Sequence, residues 1–146
     1  MANSVCAVRL TDSPIDAPAH DLPTETGGVV DFWGVVRKTE DSSDILGIEY
    51  EAHRPMAEHQ LRQLAEEANQ MFELMLVRVT HRLGFVRVGE PSLLVRVGSR
   101  HRANAFQASV WLVDELKKRV PIWKRPVFTD KPTVGHSQSG GSVALA

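Results

Sequence analysis

The chain has one cysteine, one tyrosine and no apolar run approaching the roughly 20 residues that a membrane-crossing helix needs. A lone cysteine excludes an internal disulfide and any site built from several thiolates, so Cys6 reads as a small buried hydrophobe in a first strand. His53, His59, His81 and His136 are scattered without metal-ligand spacing, and no Ser-His-Asp arrangement follows from residue order. Neither a metal centre nor a bound cofactor is expected. The opening MANSVCAVRLTDSP lacks the basic start and long apolar core of a secretory leader, which makes the cytoplasm the expected location. There is no internal repeat.

What is present suits one domain. A chain of 146 residues with 42% hydrophobic and 24% charged residues buries about 70% of its unfolded surface, enough for a single core. The net charge of −1 hides an asymmetry: Arg96, Arg100, Arg102, Lys117, Lys118, Arg119, Lys124 and Arg125 face only Asp114 and Glu115 in their segment. That segment carries plus six and the remainder minus seven. Such segregation draws small anions without making the protein a general polyanion binder.

Along the chain, VCAVRL (5–10) reads as a strand, and the three-proline stretch after it as a connector. GVVDFWGVVR (28–37) and ILGIEYEAH (45–53), on either side of the polar KTEDSSD, predict a hairpin with a long tip. Pro55 suits a helix start, and Ala57, Leu61, Leu64, Ala68 and Met71 form one helical face. LMLVRVTHRLG, FVRVGE and PSLLVRVGS alternate apolar with basic residues, which predicts strands with one wet face or edge. Phe106, Val110, Val113 and Leu116 mark the apolar positions of a second helix over 102–119, ended by Pro121. PIWKRPVF is a short extended segment. The expected fold is α+β: an antiparallel sheet packed with two main helices, a single domain over 1–128, and a flexible Gly- and Ser-rich tail over 129–146.

The chemistry concentrates in few places. His101 and Arg102 stand at the start of the second helix, where a cation is disfavoured by the macrodipole unless an anion joins it. Lys117, Lys118 and Arg119 occupy the other end, where cations are favoured on structural grounds alone. Lys124 and Arg125 recur just past the Val120-Pro121 turn, which could fold the two basic groups toward one pocket. Gly34 inside a β-branched strand marks a bulge or close backbone approach, with Arg37 beside it. Fifteen residues of helix separate Arg102 from Lys117, a rise of roughly 22 Å, so one small ligand touches both only across a symmetric dimer.

Four blocks, FWGVVRKTEDSSDILGIEYEAHRPMAE, THRLGFVRVGE, SRHRANAF and DELKKRVPIWKRPVF, stand in the order and spacing of the catalytic (large) subunit of molybdopterin synthase, the MoaE family, which residues 28–128 resemble. The combination of F-x-G-x-V-R, E-Y-E-A, H-R-x-x-A-F and K-x-R-x-P-x-W-K carries the resemblance. It implies an α/β hammerhead fold and a homodimer within a heterotetramer. It also implies a small ubiquitin-like partner whose C-terminal Gly-Gly thiocarboxylate donates sulfur to cyclic pyranopterin monophosphate, giving molybdopterin for the molybdenum cofactor. Carried over by position, Lys117 and Lys124 match the lysines implicated in catalysis. Arg37 with the backbone at Val35 and Val36, the pair His101 and Arg102, and Lys124 with Arg125 and Pro126 match substrate-binding positions, and Phe32 matches a pocket aromatic. A lone cysteine accords with sulfur arriving on a partner.

The chain departs from that pattern in its short, Pro-rich N-terminal segment. After Phe128 it also lacks the tryptophan-containing stretch and nearby arginine that close the family's pocket. The basic segment alone also admits a non-catalytic module that binds phosphate, nucleotide or RNA backbone. Against that module stand the slightly acidic total charge and the absence of aromatics interleaved through a basic strand.

Overall fold

The computed structural model of the chain describes residues 4–129. Strands β1 (Val5–Thr11), β2 (Gly28–Val35), β3 (Thr39–Glu40) and β4 (Ser43–Ala52) precede helix α1 (Arg54–Phe72); β5 (Leu74–Arg82), β6 (Gly84–Arg87) and β7 (Pro91–Ser99) lead to α2 (Arg102–Arg119) and β8 (Ile122–Phe128). The expected tail lies, from residue 130 on, outside the described residues. Among the described residues no helix is long and apolar enough to cross a membrane.

The strands form two four-stranded arrangements. The first runs β1-β5-β7-β2; the second centres on β4, which pairs with β3, β6 and β8. The α+β class with two helices holds, but the first sheet is mixed: β1 runs parallel to β5, from Val5 opposite Leu76 to Thr11 opposite Arg82. A parallel partner needs a long crossover, and here almost the whole first half of the chain supplies it. The expected hairpin of β2 with β4 does not form. β2 pairs with β7 and β4 with β8, because the tight turn in KTEDSSD closes within it, at Asp41 and Ser42, pairing β3 with the start of β4. The chain thus leaves one sheet after β2 and enters the other.

Helix α1 starts where Nδ1 of His53 accepts the Met56 N–H at 3.3 Å and Pro55 occupies a first-turn position that needs no donor. It ends at left-handed Glu73, whose N–H returns to the Asn69 carbonyl. Ala57, Leu61, Leu64, Ala65 and Ala68 are buried, whereas Met71 is exposed. In α2 the buried face is Ala105, Ala108, Ser109, Leu112 and Leu116; of the expected stripe Leu116 is buried and Val113 partly so, while the other two positions lie off this face. Phe106 and Val110 stand 59% and 64% exposed. Both sets recur at helical spacing, and small residues let the helix lie close to the sheet, so packing distance chose the smaller set.

β7 was expected to have a wet face and has none: Ser92 through Ser99 are all buried. Leu93, Val95 and Val97 join the core shared with the helices. On the opposite face Arg96, 3% exposed, is clamped by both oxygens of Asp31 (2.7 and 2.8 Å) and donates to the Ala19 carbonyl at 2.8 Å. The proline-rich connector thereby lies across that face, with Ile15 buried. Deep in the core is His81. Its Nδ1 lies 2.8 Å from the Arg82 carbonyl oxygen, which can only accept, so this nitrogen carries the proton. Its Nε2 is buried without a partner, the ring meets Tyr50 edge-on at 5.1 Å, and burial lowers its pKa to about 4. Cys6 is half-buried with its sulfur 3.9 Å from the Ala65 carbonyl, and desolvation pushes its thiol up.

Candidate functional site

Two ends of the first sheet position the residues singled out above. At one end β7 turns into α2. A Cβ on Gly27 would fall 2.3 Å from the Arg100 carbonyl oxygen, and one on Gly28 3.1 Å from Cα of Arg102, so only glycine lets the start of β2 pack against this turn. His101 is the N-cap of α2 in extended conformation and makes no side-chain cap bond, while Ser99 Oγ donates to its carbonyl. His101 and Arg102 are both exposed. A cleft of about 650 Å³ opens beside them between the end of α1 and the start of α2, lined by His101, Arg100, Asn69, Glu73 and Asn104 among others. Of the candidate residues only His101 lines it.

At the other end β2 delivers Arg37. The register slips between Gly34 and Val35, as the glycine predicted, and a Cβ on Gly34 would press to 3.3 Å from Cβ of Leu93. Past this bulge Val36 donates to the Glu90 carbonyl (3.1 Å) and accepts from Gly89 (2.9 Å). Its side chain is buried and those of Val35 and Arg37 are exposed. Phe32, opposite Val95, packs partly buried against the core.

Lys124, Arg125 and Pro126 lie on β8 opposite Tyr50, Glu49 and Ile48 of β4. Alternation turns Lys124 to the same side as buried Ile122 and Tyr50, and its Nζ meets Glu40 Oε2 at 3.1 Å. Glu40 is three residues from Arg37, so β3 brings the end of β2 and the middle of β8 into one neighbourhood. Between α2 and β8, Val120 and Ile122 are buried and pin the turn that separates Lys117 from Lys124.

Ion pairing divides the basic segment. Arg96 pairs with Asp31, Arg100 with Glu25, Lys118 with Glu115, Arg119 with Glu67 and Glu115, Lys124 with Glu40, and Arg125 more loosely with Glu51 at 3.8 Å. Of its eight cations, only Arg102 and Lys117 have no carboxylate within 4 Å among the described residues; both are exposed, at opposite ends of α2. A polyanion-binding face would need a row of free cations, and this segment does not offer one.

Residues 10–119 match the model of the family described as MoaE protein. The chain belongs to the MoaE family. Lys117 lies within the matched stretch, and Lys124, Arg125 and Pro126 lie just beyond it. MoaE relatives include proteins named molybdopterin synthase catalytic subunit from Thermoplasma volcanium, 36% identical over 88% of this chain and 94% of that one, and from Homo sapiens, 36% identical over 73% of this chain and 57% of that one. The crystal structure of molybdopterin synthase from Staphylococcus aureus superposes with a TM-score of 0.78 at 30% identity, covering 84% of this chain and 91% of that one. The fold recurs, at 23% identity and a TM-score of 0.63, in a complex of subunits 1 and 2 of the molybdopterin-converting factor from Helicobacter pylori.

Two features around the MoaE-like cations are not visible in the sequence alone. Gly27 and Gly28 read as the end of a connector, and their contact with Arg100 and Arg102 depends on a strand pairing about 70 residues away in sequence. Glu40 was one acid among several in a polar loop. The Asp-Ser pair after it was the available signal, since short polar residues favour the left-handed turn that orients it.

Proposed function

We propose that this chain is the catalytic subunit of a molybdopterin synthase. In this reading it transfers sulfur from the thiocarboxylated C-terminus of a small ubiquitin-like partner to cyclic pyranopterin monophosphate, in the cytoplasm. What supports the proposal is the coincidence of family and charge: Arg102 and Lys117, the two cations of the basic segment with no carboxylate within 4 Å among the described residues, are the ones that the resemblance assigns to substrate binding and catalysis. A free guanidinium at a helix start offers a bidentate site for the substrate's phosphate, with His101 beside it. Arg37, beside exposed Val35, forms the second anion-binding wall, with Phe32, Arg125 and Pro126 around the pterin; the Val36 N–H already donates to Glu90, so this residue shapes the wall and does not bind the anion.

Lys117 and Lys124 are assigned the chemistry. The thiocarboxylate sulfur bonds to an electrophilic carbon of the substrate as an oxygen substituent leaves that carbon, and water then cleaves the acyl carbon–sulfur bond, so the partner departs with a terminal carboxylate whose negative charge an ammonium stabilises. A lysine also supplies or accepts the proton the exchange requires. His101 and Arg102 adjoin Gly28 at the start of β2, whereas Arg37 follows its end about 24 Å away at 3.4 Å per residue. The complete site is therefore assigned to two copies of the chain, each lending its α2 start to the other, with one small partner per copy. The Helicobacter pylori protein named above is itself a two-subunit complex. Reconstitution tests the reading: purified chain, thiocarboxylated small subunit and pyranopterin precursor should give molybdopterin. No product with a partner shown to bind would sink it.

A further inference from the structure

The contact that sequence reasoning missed has a role of its own. Lys124 extends from β8 on the side where Ile122 and Tyr50 are buried, a poor place for an ammonium without a counter-charge. Glu40 supplies that charge at 3.1 Å, and the pair is well shielded, with side chains 24% and 17% exposed. Glu40 reaches there because β3 is only two residues long and is followed by Asp41 and Ser42, both left-handed at φ 52° and 66°. Two consecutive left-handed residues make the tightest hairpin reversal, so the residue preceding them has a fixed direction. The same carboxylate lies close enough to Tyr50 to help raise the phenol's pKa, behind the larger effect of burial. On β7, the Ser92 hydroxyl lies 3.5 Å from the Gly34 carbonyl, at the bulge that sets Arg37.

We propose that Glu40 is a positioning residue for Lys124, holding its ammonium in one place on β8, near the end of β2. The inference rests on the sulfur-transfer reading. A lysine has four rotatable side-chain bonds, and without the carboxylate its ammonium would swing to water along its flexible stem. Since Glu40 is itself anionic and pairs with Lys124 rather than with Arg37, His101 or Arg102, its loss should leave the phosphate-binding cations in place.

The experiment compares Glu40→Gln and Glu40→Asp with wild type in the complete complex with thiocarboxylated partner. It also measures the NMR order parameter of the Lys124 ammonium in the chain alone. Expected is a fall in kcat of about tenfold or more for Glu40→Gln, as for other small displacements of a reacting group, with KM for the precursor little changed. Glu40→Asp, which keeps the charge and shortens the reach, should recover part of the loss. The Lys124 order parameter should drop in Glu40→Gln to that of exposed Lys38. Unchanged kcat in a folded Glu40→Gln, an equal fall in Glu40→Asp and Glu40→Gln, or an unchanged order parameter each overturns the proposal. A wild-type complex with no turnover sinks the sulfur-transfer reading instead and leaves the order parameter to decide whether Glu40 holds Lys124.

Discussion

Protonation of His81 puts a charge inside the core, at a ring whose Nε2 has no hydrogen-bond partner. Its folded pKa, about 4, lies below the ordinary 6.5, so between these values the unfolded chain binds the proton and the folded one does not. Stability is therefore undiminished by this group above pH 6.5, falls as the pH drops toward 4, and levels off below. A shift of this size corresponds to something on the order of 3 kcal/mol. Urea unfolding of wild type and His81→Phe across pH 7 to 4 checks it: the variant should lose less stability over that window, whatever its starting value. Lys117 is a different kind of residue, exposed and with no carboxylate within 4 Å among the described residues, so its removal should barely move stability. Lys117→Arg keeps the charge but cannot readily give up a proton. Product formation at saturating thiocarboxylated partner is expected to fall by at least about 100-fold while partner binding persists. Near-normal turnover would reduce Lys117 to a point charge and leave Lys124 as the acid or base.

Elements in this fold are tied by contacts that differ in worth even where the chemistry looks alike. Arg96 and Arg100 both pair with acids, yet the first is buried and bidentate while the second lies in solvent with Glu25. Arg96→Ala strands Asp31 and the Ala19 carbonyl and loosens the connector over β7, at a cost of about 3 to 5 kcal/mol. Arg100→Ala should cost less than about 1 kcal/mol. Chemical denaturation separates the two, and equal effects would show that the connector contributes nothing. This contrast also marks the limit of what sequence could say. Strand and helix extents were legible because β-branched runs, Pro55 and Pro121 act locally. The buried side of α2 was not, since Ala105-Ala108-Leu112 and Phe106-Val110-Val113 obey the same period and only the distance to the sheet chooses between them. Partners of β2 and β4 were illegible for a related reason: adjacency in sequence favours a hairpin, whereas the tight turn at Asp41 and Ser42 is decided by two left-handed residues. At the site, the family was legible in the four sequence blocks, and the Glu40–Lys124 pair, made across two strands, was not.

For the whole molecule, the proposed sharing of each site between two copies rests on Arg102 and Lys117 standing at opposite ends of α2. Mixing Arg102→Ala with Lys117→Ala should give heterodimers with one working site each, though either homodimer alone is inactive. Absence of recovery, in heterodimers shown to have formed by mass spectrometry, would mean that the two residues do not share a substrate. One feature of the fold also bears on the order in which it assembles. Among the described residues β1 pairs only with β5, with Val5 opposite Leu76, so nearly half the chain lies between the two strands. Closing so long a loop is repaid only once its docking surface exists, so β1 should dock after α1, β5 and β7 have come together. Until then Cys6, Val8 and Leu10 are uncovered and the outer edge of β5 is free to accept a strand from another chain. Pulse-labelled hydrogen exchange during refolding should find β1 amides protected last. The interval before that closure is when a newly made chain is most exposed to mispairing, and β1, synthesised before the strand it joins, is then among the last to find its place.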